Sequence, residues 1–106
     1  LEDRMLHAIE HRARGYEKQR NMILSTGAQL WRSETLRKNY ARYQRGLRKD
    51  LDSWLPELQQ LERERREAVD AIASFEMWHR LRYHQGLGRR AAIDVVVGLL
   101  DSLVKG

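Results

Sequence analysis

Hydrophobic residues along this chain recur at steps of three and four, which is the period of an α-helix. The clearest case is a stripe made of Leu36, Tyr40, Tyr43, Leu47, Leu51 and Trp54. Ser33 precedes the stripe and is a residue type that caps helix N-termini, whereas Pro56 disfavours helix at the residue before it. The pattern therefore predicts an amphipathic helix between Ser33 and Pro56.

Four further segments show the same period. Residues 1–14 and 16–31 are predicted as two helices separated at Gly15, and we expect Gly27 at a close contact between backbones. A polar connection, 58–66, leads into a fourth helix whose apolar face comprises Ala68, Val69, Ile72, Phe75, Met77, Trp78 and Leu81. Gly86 is expected to end that helix in a left-handed conformation, and a final helix follows over about 89–105. We predict an all-α bundle of about five helices.

The final predicted helix is apolar over most of its circumference. Between Ala91 and Val104 its polar side chains are Asp94, Asp101 and Ser102. A helix on the surface of a monomer needs one apolar stripe, so this one must be covered from more than one direction. We predict a homodimer in which the last two helices and their symmetry mates form a four-helix interface. The alternative is that this helix is the central helix of a monomer.

Length and composition limit the other choices. The 106 residues are 42% hydrophobic and 33% charged, which is typical of one helical domain spanning 1–106. The absence of cysteine excludes disulfides and thiolate metal sites. Because we find neither a secretory signal nor an apolar run of about 18 residues, we predict a soluble, cytoplasmic protein without a membrane partner.

Candidate chemistry is sparse, and we expect neither enzymatic activity nor a cofactor. No phosphate-binding glycine loop, nucleophile elbow or distinctive pair of acids occurs. His7 and His11 have the spacing of two metal ligands on a helix, but a solvated pair is the favoured interpretation because no third ligand is evident. His79 and His84 are expected to stabilise a helix C-terminus electrostatically. The net charge of +5 permits a nucleic-acid partner, yet a solvated face is favoured for the basic stripe, Lys38, Arg42, Arg45 and Lys49.

The C-terminal third resembles a known family. Ser74-Phe75-Glu76, Trp78 and Leu81-Arg82 form a phrase S-F-E-x-W-x-x-L-R, which precedes Gly86-Leu87 and an apolar helix beginning at Ala91-Ala92. This arrangement is similar to the closing two helices of TetR-family transcriptional regulators. Gly88 departs from the pattern, since the family usually has Ser or Asp there as a helix cap.

The resemblance implies a transcriptional repressor whose C-terminal helices dimerise and sense a small-molecule effector, while an N-terminal helix-turn-helix binds operator DNA. No helix-turn-helix segment is recognisable in these residues, so specific DNA binding is expected only through a domain absent from this chain. The implied dimer interface comprises Phe75, Trp78, Ala92, Val96, Leu99, Leu100 and Leu103. A pocket for a small apolar or aromatic effector is expected among the first three helices, lined by Met5, Met22, Trp31, Tyr40, Tyr43 and Trp54. The alternatives are a freestanding helical adaptor for protein partners and a basic module that binds nucleic acid through charge.

Overall fold

The computed structural model describes residues 1–106 and contains five α-helices and no strand, which confirms the predicted all-α fold. The helices are α1 (Glu2–Gln29), α2 (Glu34–Trp54), α3 (Arg63–Ile72), α4 (Phe75–His79) and α5 (Arg89–Lys105). Two 3₁₀ turns, Leu30–Arg32 and Pro56–Gln60, connect α1 to α2 and α2 to α3. A π-helical turn, Arg80–His84, extends α4.

Several predicted helix ends are confirmed. The Ser33 hydroxyl accepts a 3.1 Å hydrogen bond from the backbone N–H of Leu36, which caps α2 as expected. Helix α2 then ends at Trp54, before Pro56. Gly86 has a φ of 72°, in the left-handed region where glycine meets no steric penalty. Helix α5 has the bounds predicted for the last helix.

The predicted break at Gly15 is wrong, because α1 runs through it as one helix of 28 residues. Buried Ala13 and Tyr16 lie on either side of the glycine, and their packing offsets its poor helix propensity. The close backbone contact predicted at Gly27 is also wrong, since a Cβ atom added there would meet no atom within 4 Å.

The predicted fourth helix is in fact two helices. Helix α3 ends at Ile72, and α4 begins after Ser74, whose hydroxyl accepts a 3.1 Å hydrogen bond from the backbone N–H of Met77. Ser74 thus caps α4 in the same way as Ser33 caps α2. The apolar period of the sequence does not show this break, because Val69 of α3 and Phe75 of α4 both pack into the same core on either side of the turn at Ala73.

A single hydrophobic core joins the helices. Helix α5 packs against α1 and α3, and α1 also packs against α2. Within the stretch predicted as a polar connection, Leu58 is fully buried and Arg66 is nearly so. Arg66 donates 2.8 Å hydrogen bonds to Asp52 on α2 and Asp70 on α3, which satisfies its buried charge. The connection is therefore attached to the core by one leucine and one ion-pair network.

The first two helices continue beyond this core as a helical hairpin. We call residues 18–46, which comprise the end of α1, the first 3₁₀ turn and the first half of α2, the arm. Ile23 is the one buried side chain in the arm, and α2 has no buried side chain before Leu51. None of the helices in the structure combines the length and apolar character needed to cross a membrane.

Candidate functional site

An apolar groove of about 280 Å³ lies between the two helices of the arm. It is lined by Met22, Ile23, Thr26, Leu36, Asn39, Tyr40 and Tyr43. The apolar stripe of α2 faces α1 here, and every residue that lines the groove belongs to these two helices, although Tyr40 also contacts Glu76 of α4. The groove is therefore the part of the α1/α2 contact that the chain leaves open.

The groove contains three of the six residues predicted to line an effector pocket, namely Met22, Tyr40 and Tyr43. The other three lie elsewhere. Met5 is fully buried in the core, and the ring of Trp54 lies 5.9 Å from that of His11, at the opposite end of the α1/α2 pair. Trp31 is 78% exposed at the turn of the hairpin.

Sequence reasoning missed four lining residues: Ile23, Thr26, Leu36 and Asn39. Ile23 and Leu36 belong to the apolar stripes, so their position on the facing surfaces was predictable. Thr26 and Asn39 lie one helical turn after Met22 and Leu36, respectively, and this spacing places them on the same faces. The two polar side chains give the groove hydrogen-bonding groups in a mostly apolar lining, as is usual in small-molecule sites.

The tyrosine hydroxyls of the groove are hydrogen-bond donors in their neutral form. Tyr40 donates a 3.0 Å hydrogen bond to a carboxylate oxygen of Glu76 on α4. Burial, and after it the negative charge of Glu76, raises the pKa of Tyr40 to about 12. Burial also raises the pKa of Tyr43, although the positive charge of Arg12 opposes that shift. Both phenols therefore stay protonated at neutral pH.

A second cavity, of about 190 Å³, lies beside the groove. Arg12 and Tyr16 of α1 line it together with Gln44, Arg45 and Arg48 of α2 and Asp70 of α3. Whereas the groove is mostly apolar, this cavity is lined mainly by charged and polar side chains. Neighbouring segments of α1 and α2 line the two spaces, since Tyr43 lines the groove and the next residue, Gln44, lines the cavity, but no residue lines both.

The histidines do not form a metal site with other ligands. His7 and His11 are exposed, and no group of three or more His, Asp or Glu side chains is placed to hold an ion. His79 and His84 lie together, with ring centroids 5.1 Å apart. Burial, together with the charges of Arg20 and His84, lowers the pKa of His79. His79 and His84 lie in the last turns of α4 and of the π-helical turn, as the sequence predicts, but the lowered pKa of His79 disfavours its charged form.

The basic stripe is exposed along α2. Within it, Lys38 pairs with Glu34 at 3.3 Å, and the other three residues make no ion pair. The arm contains seven of the 20 lysines and arginines and one of the 15 acidic residues. The positive charge of the chain is thus concentrated on the arm. The arm also carries two exposed apolar side chains, Trp31 and Met22.

The predicted dimer interface is placed differently from the expectation. Five of its seven residues are buried in the chain's own core, where they have almost no surface to offer a partner: Phe75, Trp78, Ala92, Val96 and Leu100. Leu99 is 40% exposed and Leu103 is half-buried. Val95, which was not predicted, is 36% exposed. Val95, Leu99 and Leu103 recur every four residues and form one apolar stripe on the outer face of α5, which we call the α5 stripe.

Comparison of the chain with protein-family models, curated proteins and solved structures found no match.

Proposed function

We propose that this chain is the regulatory domain of a TetR-like transcriptional repressor, which homodimerises through the α5 stripe and senses a small apolar or aromatic effector in the groove. The resemblance of Ser74–Val104 to the closing helices of that family motivates the proposal. DNA binding would belong to a separate domain, and the present residues would act without catalysis or cofactor.

The observation that carries the proposal is the exposure of the α5 stripe. Val95 and Leu99 keep more than a third of their surface open although the opposite side of α5 is fully packed. Three small exposed residues lie beside the stripe, namely Ala91, Gly98 and Ser102. Small residues at such a position permit the close approach of a second helix. A second α5, related by a two-fold axis, would cover this face with the same residues from both copies.

The location of the groove is consistent with a sensing role. It lies in the arm, whereas the α5 stripe lies on a different helix, so an effector and a partner subunit can be bound together. The arm has few buried side chains, and such segments are the ones whose conformation a ligand can shift at small energetic cost.

Analytical ultracentrifugation tests the dimer. We expect the wild-type chain to sediment at twice its mass of 12.6 kDa, and Leu99→Asp to sediment as a monomer because a buried carboxylate at the interface is costly. Leu24→Asp, which changes a similarly exposed leucine on the arm, is the matched control and should remain dimeric. A wild-type chain that is monomeric at high micromolar concentration would contradict the proposal.

A second candidate function is that of an adaptor that binds an acidic, amphipathic helix of another protein. The concentration of seven basic residues on the arm, next to exposed Trp31 and Met22, favours such a partner by charge and by apolar contact. Trp31→Ala and Arg42→Glu should each abolish capture of a synthetic acidic amphipathic helix if this function is correct. Binding to arbitrary duplex DNA that disappears at high salt would instead indicate the nucleic-acid alternative.

A further inference from the structure

Arg12, which lines the 190 Å³ cavity beside the groove, is a buried cation with unused hydrogen-bonding capacity. It is 8% exposed. Its Nη2 atom donates a 2.6 Å hydrogen bond to the backbone carbonyl of Leu47, whereas its Nε and Nη1 atoms make no hydrogen bond with the protein and are open to solvent. An oxyanion in the cavity can therefore replace water as the partner of these two donor atoms.

The protein supplies Arg12 with only a distant counter-charge. The nearest carboxylate oxygen, from Asp50, lies 3.7 Å from Nη2, and the Asp50 side chain is 46% exposed. An Asp70 carboxylate also lines the cavity, but it already forms ion pairs with Arg48 and Arg66. The positive charge of Arg12 is therefore only partly neutralised within the protein.

Arg45 adds a second cation to the same cavity. It lines the space from α2, is exposed, and makes no ion pair or hydrogen bond. Arg48, by contrast, pairs with Glu67 at 2.8 Å and with Asp70. Arg12 and Arg45 are thus the two guanidinium groups available to a ligand, and guanidinium groups bind carboxylates and phosphates through parallel hydrogen bonds.

The cavity and the groove lie next to each other along both helices. On α1, Tyr16 lines the cavity and Ile23 lines the groove, seven residues or about 10 Å further along the helix axis. On α2, the adjacent residues Tyr43 and Gln44 line one space each. The two linings are thus about two turns of α1 apart, a distance that an elongated molecule of moderate size can span.

We propose that the groove and the cavity form one site for an amphipathic organic acid, with the apolar body between Met22, Tyr40 and Tyr43 and the carboxylate bound by Arg12 and Arg45. This inference depends on the proposed function, since it names the chemical class of the effector. The chemical class of the effector follows from the two linings. The apolar groove favours a ligand with an apolar body, and the two incompletely paired guanidinium groups favour a ligand that carries an oxyanion.

Isothermal titration calorimetry with octanoate, octan-1-ol and inorganic phosphate tests the inference on the whole chain. We expect octanoate to bind at least about tenfold more tightly than octan-1-ol, because charge-assisted hydrogen bonds are about twice as strong as neutral ones. Arg45→Gln should remove most of that preference and leave the affinity for octan-1-ol unchanged. Arg42→Gln, which changes an exposed arginine of α2 outside the cavity, is the matched control and should keep the preference.

Arg12→Gln is the more direct variant, but Arg12 also holds the Leu47 carbonyl, so its thermal unfolding is measured beside its binding. Arg45 is exposed and unpaired, so Arg45→Gln is expected to fold normally and keeps the test decisive. Equal affinities for octanoate and octan-1-ol overturn the inference. So does an equal loss of octanoate affinity in Arg45→Gln and Arg42→Gln, which indicates general charge attraction. Phosphate that binds as tightly as octanoate indicates a small-anion cavity without the groove, and it also overturns the inference.

Sedimentation of the same samples separates this inference from the proposed function. A wild-type dimer that does not prefer octanoate leaves the proposed function standing and rejects only the organic acid. A monomeric wild-type chain rejects the proposed function whichever probe binds.

Discussion

The hydroxyl of Tyr16 donates a 2.8 Å hydrogen bond to the carbonyl oxygen of Ala73, and both residues are buried. Ala73 lies at the break between α3 and α4, where the backbone carbonyl has lost its helical partner. The ring of Tyr16 also meets the ring of Phe75 edge-on, with centroids 5.5 Å apart. The Tyr16 side chain of α1 therefore supplies a hydrogen-bond donor to the carbonyl left unpaired between α3 and α4. It also packs against Phe75, the first residue of α4.

Removing this hydroxyl should destabilise the fold. Tyr16→Phe leaves the Ala73 carbonyl buried without a donor, and we expect the free energy of unfolding to fall by about 1 to 2 kcal/mol in urea denaturation. Tyr83→Phe is the matched control, because the Tyr83 hydroxyl donates to Glu17 at the surface, where water can replace it. Equal losses in the two variants would show that burial of the Ala73 carbonyl is unimportant.

Arg66 should contribute far more to stability than its neighbours on α3. Arg66→Ala leaves Asp52 and Asp70 without their shared partner and opens space beside the core, so we expect a loss of about 3 kcal/mol. Arg63→Ala, at an exposed position of the same helix without an ion pair, should change stability by less than about 0.5 kcal/mol. Thermal and urea denaturation of Arg66→Ala and Arg63→Ala compares the two losses of stability. A small loss in Arg66→Ala would mean that water can replace the guanidinium group as the partner of the two aspartates.

The glycines of the long helices should be replaceable with a gain in stability. A Cβ atom at Gly15 or Gly46 would meet no atom within 4 Å, and both residues have negative φ inside helices. We expect Gly15→Ala and Gly46→Ala each to stabilise the fold by about 0.5 to 1 kcal/mol.

Gly86→Ala should have the opposite sign, because Gly86 has a φ of 72°. An alanine in the left-handed region costs about 1 to 2 kcal/mol, although the added atom would meet no neighbour. Differential scanning calorimetry of the three variants compares the melting temperatures. Destabilisation by Gly15→Ala would indicate that α1 needs a flexible point there.

Stability should decrease in alkaline solution. Burial raises the pKa of Tyr16, and burial together with Glu76 raises that of Tyr40 from 10.0 to about 12. Above pH of about 10 the unfolded chain releases tyrosine protons that the folded chain retains, so the free energy of unfolding falls as pH rises toward 12.

Urea denaturation at intervals of about half a pH unit, from about pH 8 to about pH 11.5, measures this slope. Tyr40→Phe should make it shallower, and Tyr16→Phe should do so as well. Tyr83→Phe serves as a partial control, since the pKa of Tyr83 is raised mainly by its hydrogen bond to the half-buried Glu17. A slope that is identical in wild type and Tyr40→Phe would show that this phenol ionises alike in both states.

Local sequence signals identified most helix ends correctly. Ser33, Pro56 and Gly86 act through their own backbone and side-chain chemistry within one turn of the chain, and the structure agrees at each. The helical period likewise identified the inward face of α2, where Leu51 is in the core and Tyr40, Leu47 and Trp54 pack against it. Ser74 carried a signal of the same kind as Ser33, but the continuing apolar period of α3 and α4 concealed it.

Contacts between distant segments were decided only by tertiary packing. Gly15 stays helical because the core holds both sides of it, and Arg66 is buried because Asp52 comes from another helix. Periodicity assigns a residue to a helix face, but it does not say how far along that face a neighbouring helix extends. For that reason Met5 and Met22, on one helix, occupy the core and the groove, respectively, and most of the predicted interface residues of α5 pack inside their own chain.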